Sequence, residues 1–312
     1  MKFFKKKKLL PIDKFFQNVL YEKKIGYYAT KQPFGSGGDF ITAPKISILF
    51  SDIIAVWIIS AWEFLGKPKN FNIVELGPGD GTLSKALIKV FNRFPDFNSS
   101  KKIYLYEISN FLKKLQKKKI KSNQAKWITN FNDINKGPVI FFGNEFFDAI
   151  PIKQFKRKNG QLFEKYFTLN KNDKIIEIYK KALKKDIIHV DSYKSLKNLK
   201  FIEFPKYGIQ ELKKIIKKII KSEGCLLMID YGYLKSGNQN TLQSVMKHKK
   251  NNLLSNLGKA DITSHVNFEL LTELFLKSNL KVKKIITQEK FLKNMGIVKR
   301  AEIISRKMKF SD

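Results

Sequence analysis

Short apolar runs alternate along this chain with segments in which apolar residues recur every three to four positions. The apolar runs predict buried strands at "FNIVEL", "KKIYLYEI", "AKWITNF" and "GPVIFFGNEFF". Segments such as "TLSKALIKVFNRF" and "SNFLKKLQKKK" lie between them and predict helices. Continuous apolar strands separated by amphipathic helices are typical of a parallel sheet covered by helices on both faces. The pattern therefore predicts an open α/β fold whose ligand lies at the carboxyl ends of the strands.

This rhythm is interrupted between residues 152 and 206, where polar, alternating stretches such as "KQFKRKNGQLFEKYFTLN" predict an inserted, β-rich cap. Residues 1–66 predict N-terminal helices and a glycine-rich lid loop, and residues 67–151 predict the first βαβ units. Residues 207–312 predict the remaining sheet, with the strand "CLLMIDYG" and, near the end, a strand at "KVKKIIT". Because neither a repeat nor a low-complexity linker is evident, we interpret residues 1–312 as a single domain.

The net charge of the chain permits two kinds of binding partner but favours neither. Lys and Arg total 61 against 27 Asp and Glu, a net charge of +34, so nucleic acid and anionic membranes are possible partners. The excess is mostly scattered Lys, which favours a solvated surface. Residues 46–66 approach the length of a membrane span, but Asp52 and Glu63 favour a buried helix. The single cysteine, Cys225, permits no internal disulfide, and we expect a cytoplasmic protein.

The first candidate site is "VELGPGDGTL", which places Glu75, Gly77, Gly79 and Gly81 at the end of a predicted strand. Alternate glycines allow a sharp turn and a close approach of the backbone to a ligand, and the following helix offers free amides. A P-loop would need Lys and Ser or Thr after the last glycine, and a dinucleotide motif would need two residues between its last glycines. The segment better resembles the class I S-adenosylmethionine fingerprint, an acid and an apolar residue followed by glycines at alternate positions. That ligand suits the segment physically, since its ammonium suits Glu75 and its carboxylate suits the helix amides. A plain glycine turn is the alternative.

Acids also follow the next two predicted strands. Glu107 ends "KIYLYEIS", a position where nucleotide-binding folds place a carboxylate that accepts hydrogen bonds from ribose hydroxyls. Asp133, in "NFNDI", is placed to reach the adenine amino group. The alternatives are an exposed Glu107 without a ligand and a turn role for Asp133.

The second candidate site is "FFGNEFFDAIP", with Asn144, Glu145 and Asp148 beside Phe146 and Phe147 at the end of the fourth strand. Acids beside aromatic side chains lose hydration, which a cationic or hydrogen-bonding ligand can offset. A guanidinium suits a carboxylate fork, and the proton lost on methylation needs an acceptor. Alternatively, Asp148 caps the next turn and Glu145 pairs with a surface Lys. We predict no metal site.

Six motifs occur in order over almost the whole chain: "GYYATKQPFGSGGDFITAPKIS", "VELGPGDGTL", "GNEFFDAIP", "LLMIDYG", "KADITSHVNF" and "FLKNMGI". Together they resemble the MidA-type methyltransferases, which include the mitochondrial complex I assembly factor that methylates a protein arginine. The resemblance implies S-adenosylmethionine as cofactor, a Rossmann-like class I methyltransferase sheet with insertions, and an arginine of a partner protein as the methyl acceptor. It also implies that Gly77, Gly79 and Glu107 hold the cofactor and that Gly38 and Asp39 form a lid loop.

The chain departs from the family pattern at two positions. Lys45 stands in "PKIS" where the family usually has "PEIS", which places a positive charge near the expected arginine site, and Asp80 stands where Arg is frequent. No long presequence precedes "PIDKFF", which predicts a bacterial member.

We therefore predict a methyltransferase acting on a protein arginine, in which Glu145, with Asp148, orients the guanidinium and Asn144 adds a hydrogen bond. One alternative is methylation of nucleic-acid amino groups, because "NEFFD" faintly resembles the Asn-Pro-Pro-aromatic loop of base methyltransferases. Another is a non-catalytic assembly factor that binds the cofactor and docks a respiratory subunit through His265 and the aromatic-rich insertion.

Overall fold

The structure is a computed structural model that describes residues 2–4, 7–31, 48–121 and 123–306. The strands among these residues are, in chain order, β1 (Leu9–Pro11), β2 (Phe71–Leu76), β3 (Lys101–Tyr106), β4 (Lys126–Ile128), β5 (Val139–Asn144), β6 (Lys153–Lys158), β7 (Gln161–Leu169), β8 (Ile175–Lys181), β9 (Phe201–Phe204), β10 (Gly224–Ile229), β11 (Gly232–Tyr233), β12 (Gln243–Met246), β13 (Lys249–Asn251), β14 (Asp261–Thr263) and β15 (Val266–Asn267).

The α-helices among the same residues are, in chain order, α1 (Ile12–Tyr21), α2 (Tyr27–Thr30), α3 (Ile48–Phe64), α4 (Thr82–Phe91), α5 (Pro95–Ser100), α6 (Asn110–Lys119), α7 (Lys184–Asp191), α8 (Lys206–Ser222), α9 (Phe268–Lys277), α10 (Gln288–Asn294) and α11 (Ile297–Ser305).

The chain forms two compact units. The mixed-sheet unit comprises Met1–Pro33, Glu145–Lys217 and Asp230–Val282. The parallel-sheet unit comprises Phe34–Asn144, Lys218–Ile229 and Lys283–Asp312.

The parallel-sheet unit contains the five strands that the apolar runs predict. Their order is β10-β5-β2-β3-β4, and every neighbouring pair is parallel. All six residues of the central strand β2 are buried, which is why its sequence is a continuous apolar run apart from Asn72 and Glu75. Aromatic rings pack edge to face around Phe97, with Trp62, Phe71 and Phe91 as partners. The predicted α/β architecture is confirmed.

Helix α3 explains the apolar stretch that approaches the length of a membrane span. It belongs to the core of the parallel-sheet unit, where Ile54, Ile58 and Trp62 are buried. Asp52 is also buried, and the guanidinium of Arg300 on α11 bonds its Oδ2, from Nε at 2.8 Å and from Nη2 at 2.7 Å. This ion pair compensates the acid within an apolar helix. Across the part of the chain that the structure describes, we find no helix both long and apolar enough to cross a bilayer.

The mixed-sheet unit contains an antiparallel sheet in the order β1-β7-β6-β9, with β8 also paired to β7. Strand β1, from the N-terminal segment, joins this sheet through Leu9 opposite Thr168. A smaller sheet in the order β13-β12-β14 and the short pair β11-β15 complete the unit's strands among the described residues. The β-rich character predicted for residues 152–206 therefore rests on a sheet that also recruits residues 9–11.

One predicted strand is wrong. Residues 281–287, "KVKKIIT", form no strand, and α10 begins directly after them at Gln288. Lys281, Lys283 and Lys284 are exposed, and Ile285 and Ile286 are each 37% exposed. The local sequence has the apolar content of a strand but leaves its side chains in solvent, so burial does not favour the ladder there.

Candidate functional site

A glycine turn follows β2 in the parallel-sheet unit. Gly77, Gly79 and Gly81 have φ values of 61°, 56° and 81°, in the left-handed region that favours glycine. The Gly77 N–H donates to the carbonyl of Tyr106 at 3.1 Å, and the Gly81 N–H donates to the carbonyl of Pro78 at 2.8 Å. Gly81 directly precedes α4. The turn therefore leads directly into the N-terminus of α4, where amides attract an anionic group.

Glu75 lies one residue before the end of β2 and is buried. Burial, together with the negative charge of Asp80, raises the pKa of Glu75 to about 7, although a hydrogen bond from Ser84 opposes this shift. The Ser84 hydroxyl donates that bond to Glu75 Oε2. A cation beside this carboxyl would favour its ionised form, and the ammonium of S-adenosylmethionine is such a cation.

Asp80, where the family often has Arg, is compensated within the same unit. Its Oδ2 lies 2.7 Å from the Nζ of Lys119 on α6, and its Oδ1 accepts the N–H of Thr82 at 3.1 Å. Lys119 also donates to the Thr82 hydroxyl at 2.8 Å. The departure at Asp80 therefore ties the glycine turn to the end of α6.

Glu107 follows β3 and is buried. Its Oε1 accepts the N–H of Ser109 at 2.7 Å, and its Oε2 accepts a bond from Nε2 of Gln116 at 3.1 Å. Burial raises the pKa of Glu107, while these hydrogen bonds oppose the shift. Gln116 is a residue that the sequence did not single out. Asp133 is exposed at the end of a short 3-10 helix over Phe131–Asp133.

The chemistry and the positions of these groups fit S-adenosylmethionine. The glycines of the turn carry no Cβ atoms that would keep a ligand from the backbone. Glu75 is a buried carboxyl that a cation would stabilise, and Glu107 is a carboxyl held in place after the neighbouring strand. The residues suited to hold the cofactor are therefore the glycines of the turn, Glu75 and Glu107. Gly38 and Asp39, which are predicted to form a lid loop, lie outside the described residues, and so does Lys45.

A second group of acids lies in the mixed-sheet unit. β5 ends at Asn144, and Glu145 follows with a φ of 52°, which is uncommon for a residue with a Cβ. The rings of Phe146 and Phe147 then pack edge to face at 4.9 Å. Asp148 comes next, and its carbonyl accepts the N–H of Ser264 at 2.9 Å.

Asp230, the residue after β10, holds this segment from a distant part of the sequence. Its Oδ2 accepts the N–H of Phe147 at 2.9 Å and of Asp148 at 3.3 Å, while its Oδ1 accepts the N–H of Tyr231 at 2.9 Å. Asp230 lies in "LLMIDYG", one of the motifs that resemble the family, but the sequence alone predicted no role for it. The signal was present, since Asp230 follows an apolar strand as Glu145 does.

The electrostatics of these acids favour a cationic ligand. Burial raises the pKa of Asp148 well above its usual range, and the charges of Asp230, Asp261 and Glu145 add to the shift. Burial also raises the pKa of Asp230 to about 7, with Glu145 adding to the shift. The Tyr28 hydroxyl contacts both carboxylate oxygens of Asp261, at 3.0 and 2.9 Å. We name Glu145, Asp148, Asp230 and Asp261 the acid cluster.

The parallel order β10-β5-β2-β3-β4, the glycine turn after the central strand and the buried acid after β3 define a Rossmann-like fold of the class I methyltransferase type. Residues 53–286 match the family model of S-adenosyl-L-methionine-dependent methyltransferases, and the chain belongs to this family. It is an S-adenosylmethionine-dependent methyltransferase, and the predicted resemblance, enzyme class and cofactor are confirmed.

Named relatives extend the comparison. A protein named "Protein arginine methyltransferase NDUFAF7 homolog, mitochondrial" from Drosophila melanogaster is 27% identical over 291 residues, covering 85% of this chain and 66% of that protein. "Protein arginine methyltransferase NDUFAF7, mitochondrial" from Danio rerio is 27% identical over 323 residues, covering 95% of this chain and 75% of that protein. This chain therefore matches two thirds to three quarters of the length of these relatives.

A solved structure agrees with the fold. A protein from Burkholderia thailandensis, crystallised with S-adenosyl-homocysteine, superposes with a TM-score of 0.76 at 20% identity. The superposition covers 94% of this chain and 79% of that chain. At this identity the likeness establishes the fold of the present chain.

Proposed function

We propose that this methyltransferase transfers a methyl group to an arginine guanidinium of a partner protein. The observation that carries the proposal is the acid cluster, in which Asp148 and Asp230 have raised pKa values because they are half-buried beside other carboxyls. A guanidinium stays positively charged at neutral pH, so its binding would relieve this repulsion. The names of the relatives, which are protein arginine methyltransferases, support the same acceptor.

Each acid has a distinct part in the proposal. Glu145 and Asp148 orient the planar guanidinium through its N–H groups, as bidentate carboxylate pairs do. Asn144 adds a hydrogen bond. S-adenosylmethionine, when bound, supplies the methyl group and leaves as S-adenosylhomocysteine. Asp230, with a pKa of about 7, accepts the proton that the guanidinium nitrogen loses.

A labelling experiment tests the proposal. The purified protein is incubated with S-adenosylmethionine carrying an isotopically labelled methyl group and with a lysate of source cells that lack the gene. Mass spectrometry then locates the label. We expect it on arginine side chains of a protein; label on nucleic acid, or cofactor binding without any transfer, would overturn the assignment in favour of base methylation or of a non-catalytic assembly factor.

Two variants sharpen this test. Glu145→Gln keeps the size of the side chain and removes its charge, so transfer should be lost while cofactor affinity is retained. Asp173→Asn is the matched control, because Asp173 is an exposed turn residue with a φ of 56° that Asn adopts readily. The control should transfer methyl groups at the parent rate. Full activity of Glu145→Gln would remove Glu145 from the mechanism.

A further inference from the structure

Gln116 is a polar side chain in an otherwise lysine-rich helix, and it is fully buried. Its Nε2 donates to the carbonyl of Gly79 at 2.8 Å and to Oε2 of Glu107 at 3.1 Å. Its Oε1 accepts the indole N–H of Trp127 at 2.8 Å. One side chain thus bonds the glycine turn after β2, the acid after β3 and a residue of β4.

Only an amide satisfies these three groups together. The carbonyl of Gly79 and the carboxylate of Glu107 both need a donor, whereas Trp127 needs an acceptor. A carboxylate at position 116 could accept from Trp127 but would face Glu107 with a second negative charge. An apolar side chain of the same size would leave all three groups without their partner in a buried setting, which is costly.

The backbone packing at this point is also tight. A Cβ built on Gly81 would lie 3.3 Å from both Cα and Cγ of Gln116. The glycine at position 81 therefore lets α6 approach the turn closely enough for Gln116 to reach Gly79.

The same bond network fixes the orientation of Glu107. Ser109 bonds one carboxylate oxygen and Gln116 bonds the other, so both oxygens are held. The Ile108 N–H also bonds this carboxyl, and since a carboxylate has about four acceptor sites, it can still accept a bond from a ligand. We propose that Gln116 is a positioning residue for the cofactor, which holds the ribose-binding carboxylate of Glu107 in register with the glycine turn. The inference rests on the methyltransferase function and adds a residue to it.

The test measures recognition of the ribose hydroxyls and not affinity alone. Calorimetry gives the dissociation constants of S-adenosylhomocysteine and of its 2′,3′-dideoxyribose analogue, and their ratio reports the hydroxyl contacts. In Gln116→Met, we expect S-adenosylhomocysteine to bind about tenfold more weakly, the size of one lost hydrogen bond to a charged group. The analogue should lose much less, so the ratio should shrink. Gln161→Met, at an exposed position of β7, is the matched control and should leave the ratio unchanged.

A change in this ratio of dissociation constants distinguishes a positioning role from general destabilisation. Thermal unfolding without ligand measures the destabilisation independently. An unchanged ratio in folded Gln116→Met would overturn the inference. Should that variant not fold, Trp127→Phe decides, because it keeps an aromatic ring but removes the N–H that orients the Gln116 amide; an unchanged ratio there would equally overturn the inference. A parent protein that binds neither ligand would instead contradict the methyltransferase function itself.

Discussion

Glu75 makes the stability of the cofactor-free protein depend on pH in a defined direction. Its carboxyl is buried at the end of the central strand, and its pKa is raised from 4.5 to about 7 in the folded chain. Below pH 4.5 the carboxyl is neutral in both the folded and the unfolded state. As the pH rises toward 7, the unfolded chain loses this proton first, so the free energy of unfolding falls across that interval.

The size of the effect follows from the shift. One pKa unit corresponds to about 1.4 kcal/mol, so the ionised carboxylate costs the folded state about 3 kcal/mol at pH values above 7. Glu75→Gln keeps the shape and an oxygen that can accept from Ser84, but it has no charge to bury. The free energy of unfolding of the variant minus that of the parent should therefore increase by about 2 to 3 kcal/mol as the pH rises from 5 to 8.

Urea unfolding of parent and variant at matched pH measures this difference, because other titrating groups contribute equally to both proteins. Cofactor must be absent, since it stabilises the folded state by mass action. If Glu75 pairs with the cofactor ammonium as predicted, the same variant should bind S-adenosylmethionine more weakly, because it lacks that negative charge. A stability difference that stays constant from pH 5 to pH 8 would refute the burial argument for Glu75.

Three further predictions follow from contacts in the two units. Gly81→Ala should cost about 1 to 2 kcal/mol in urea unfolding because position 81 has a left-handed backbone, and it should weaken cofactor binding in calorimetry. Gly66→Ala is the control: Gly66 has the same φ of 81°, but no atom lies within 4 Å of a Cβ built there, so this variant should show the backbone cost alone. Asp230→Asn should abolish the rise of kcat/KM through about pH 7, and a profile identical to that of the parent would exclude Asp230 as the proton acceptor. Lys119→Met leaves the buried Asp80 without its 2.7 Å ion pair and should destabilise the protein by about 1 to 3 kcal/mol in urea unfolding, which an unaltered midpoint would contradict.

Local sequence was sufficient to predict the parallel sheet because its central strands, β2 and β5, are buried on both faces. The apolar runs carry that burial directly, and the glycines at positions 77, 79 and 81 carry the positive φ values of the turn. It was insufficient for β1, where only pairing with β7, far along the chain, makes three residues into a strand. It was misleading for "KVKKIIT", whose composition resembles a strand although its side chains are exposed.

In the candidate site, too, the sequence shows which residues carry the chemistry but not which groups they contact. The acids Glu75, Glu107 and Glu145 lie within one residue of the ends of apolar strands, and that position is visible in the sequence. Gln116 is visible only as one polar residue among lysines, because its role depends on three groups brought together by the fold.

Asp230 shows why strand pairing decides membership of the acid cluster. β10 pairs in parallel with β5, and Ile229 lies opposite Asn144 at the last step of the ladder. The next residue on each strand is an acid, Asp230 after β10 and Glu145 after β5. Because these parallel neighbours end at the same step of the ladder, the residues that follow them lie close together. Two carboxyls separated by more than eighty positions in sequence therefore join one cluster, where each raises the pKa of its neighbours. The sequence motif provides each acid, and the strand register brings the acids together so that their charges repel. Binding of the proposed cationic acceptor would relieve this repulsion.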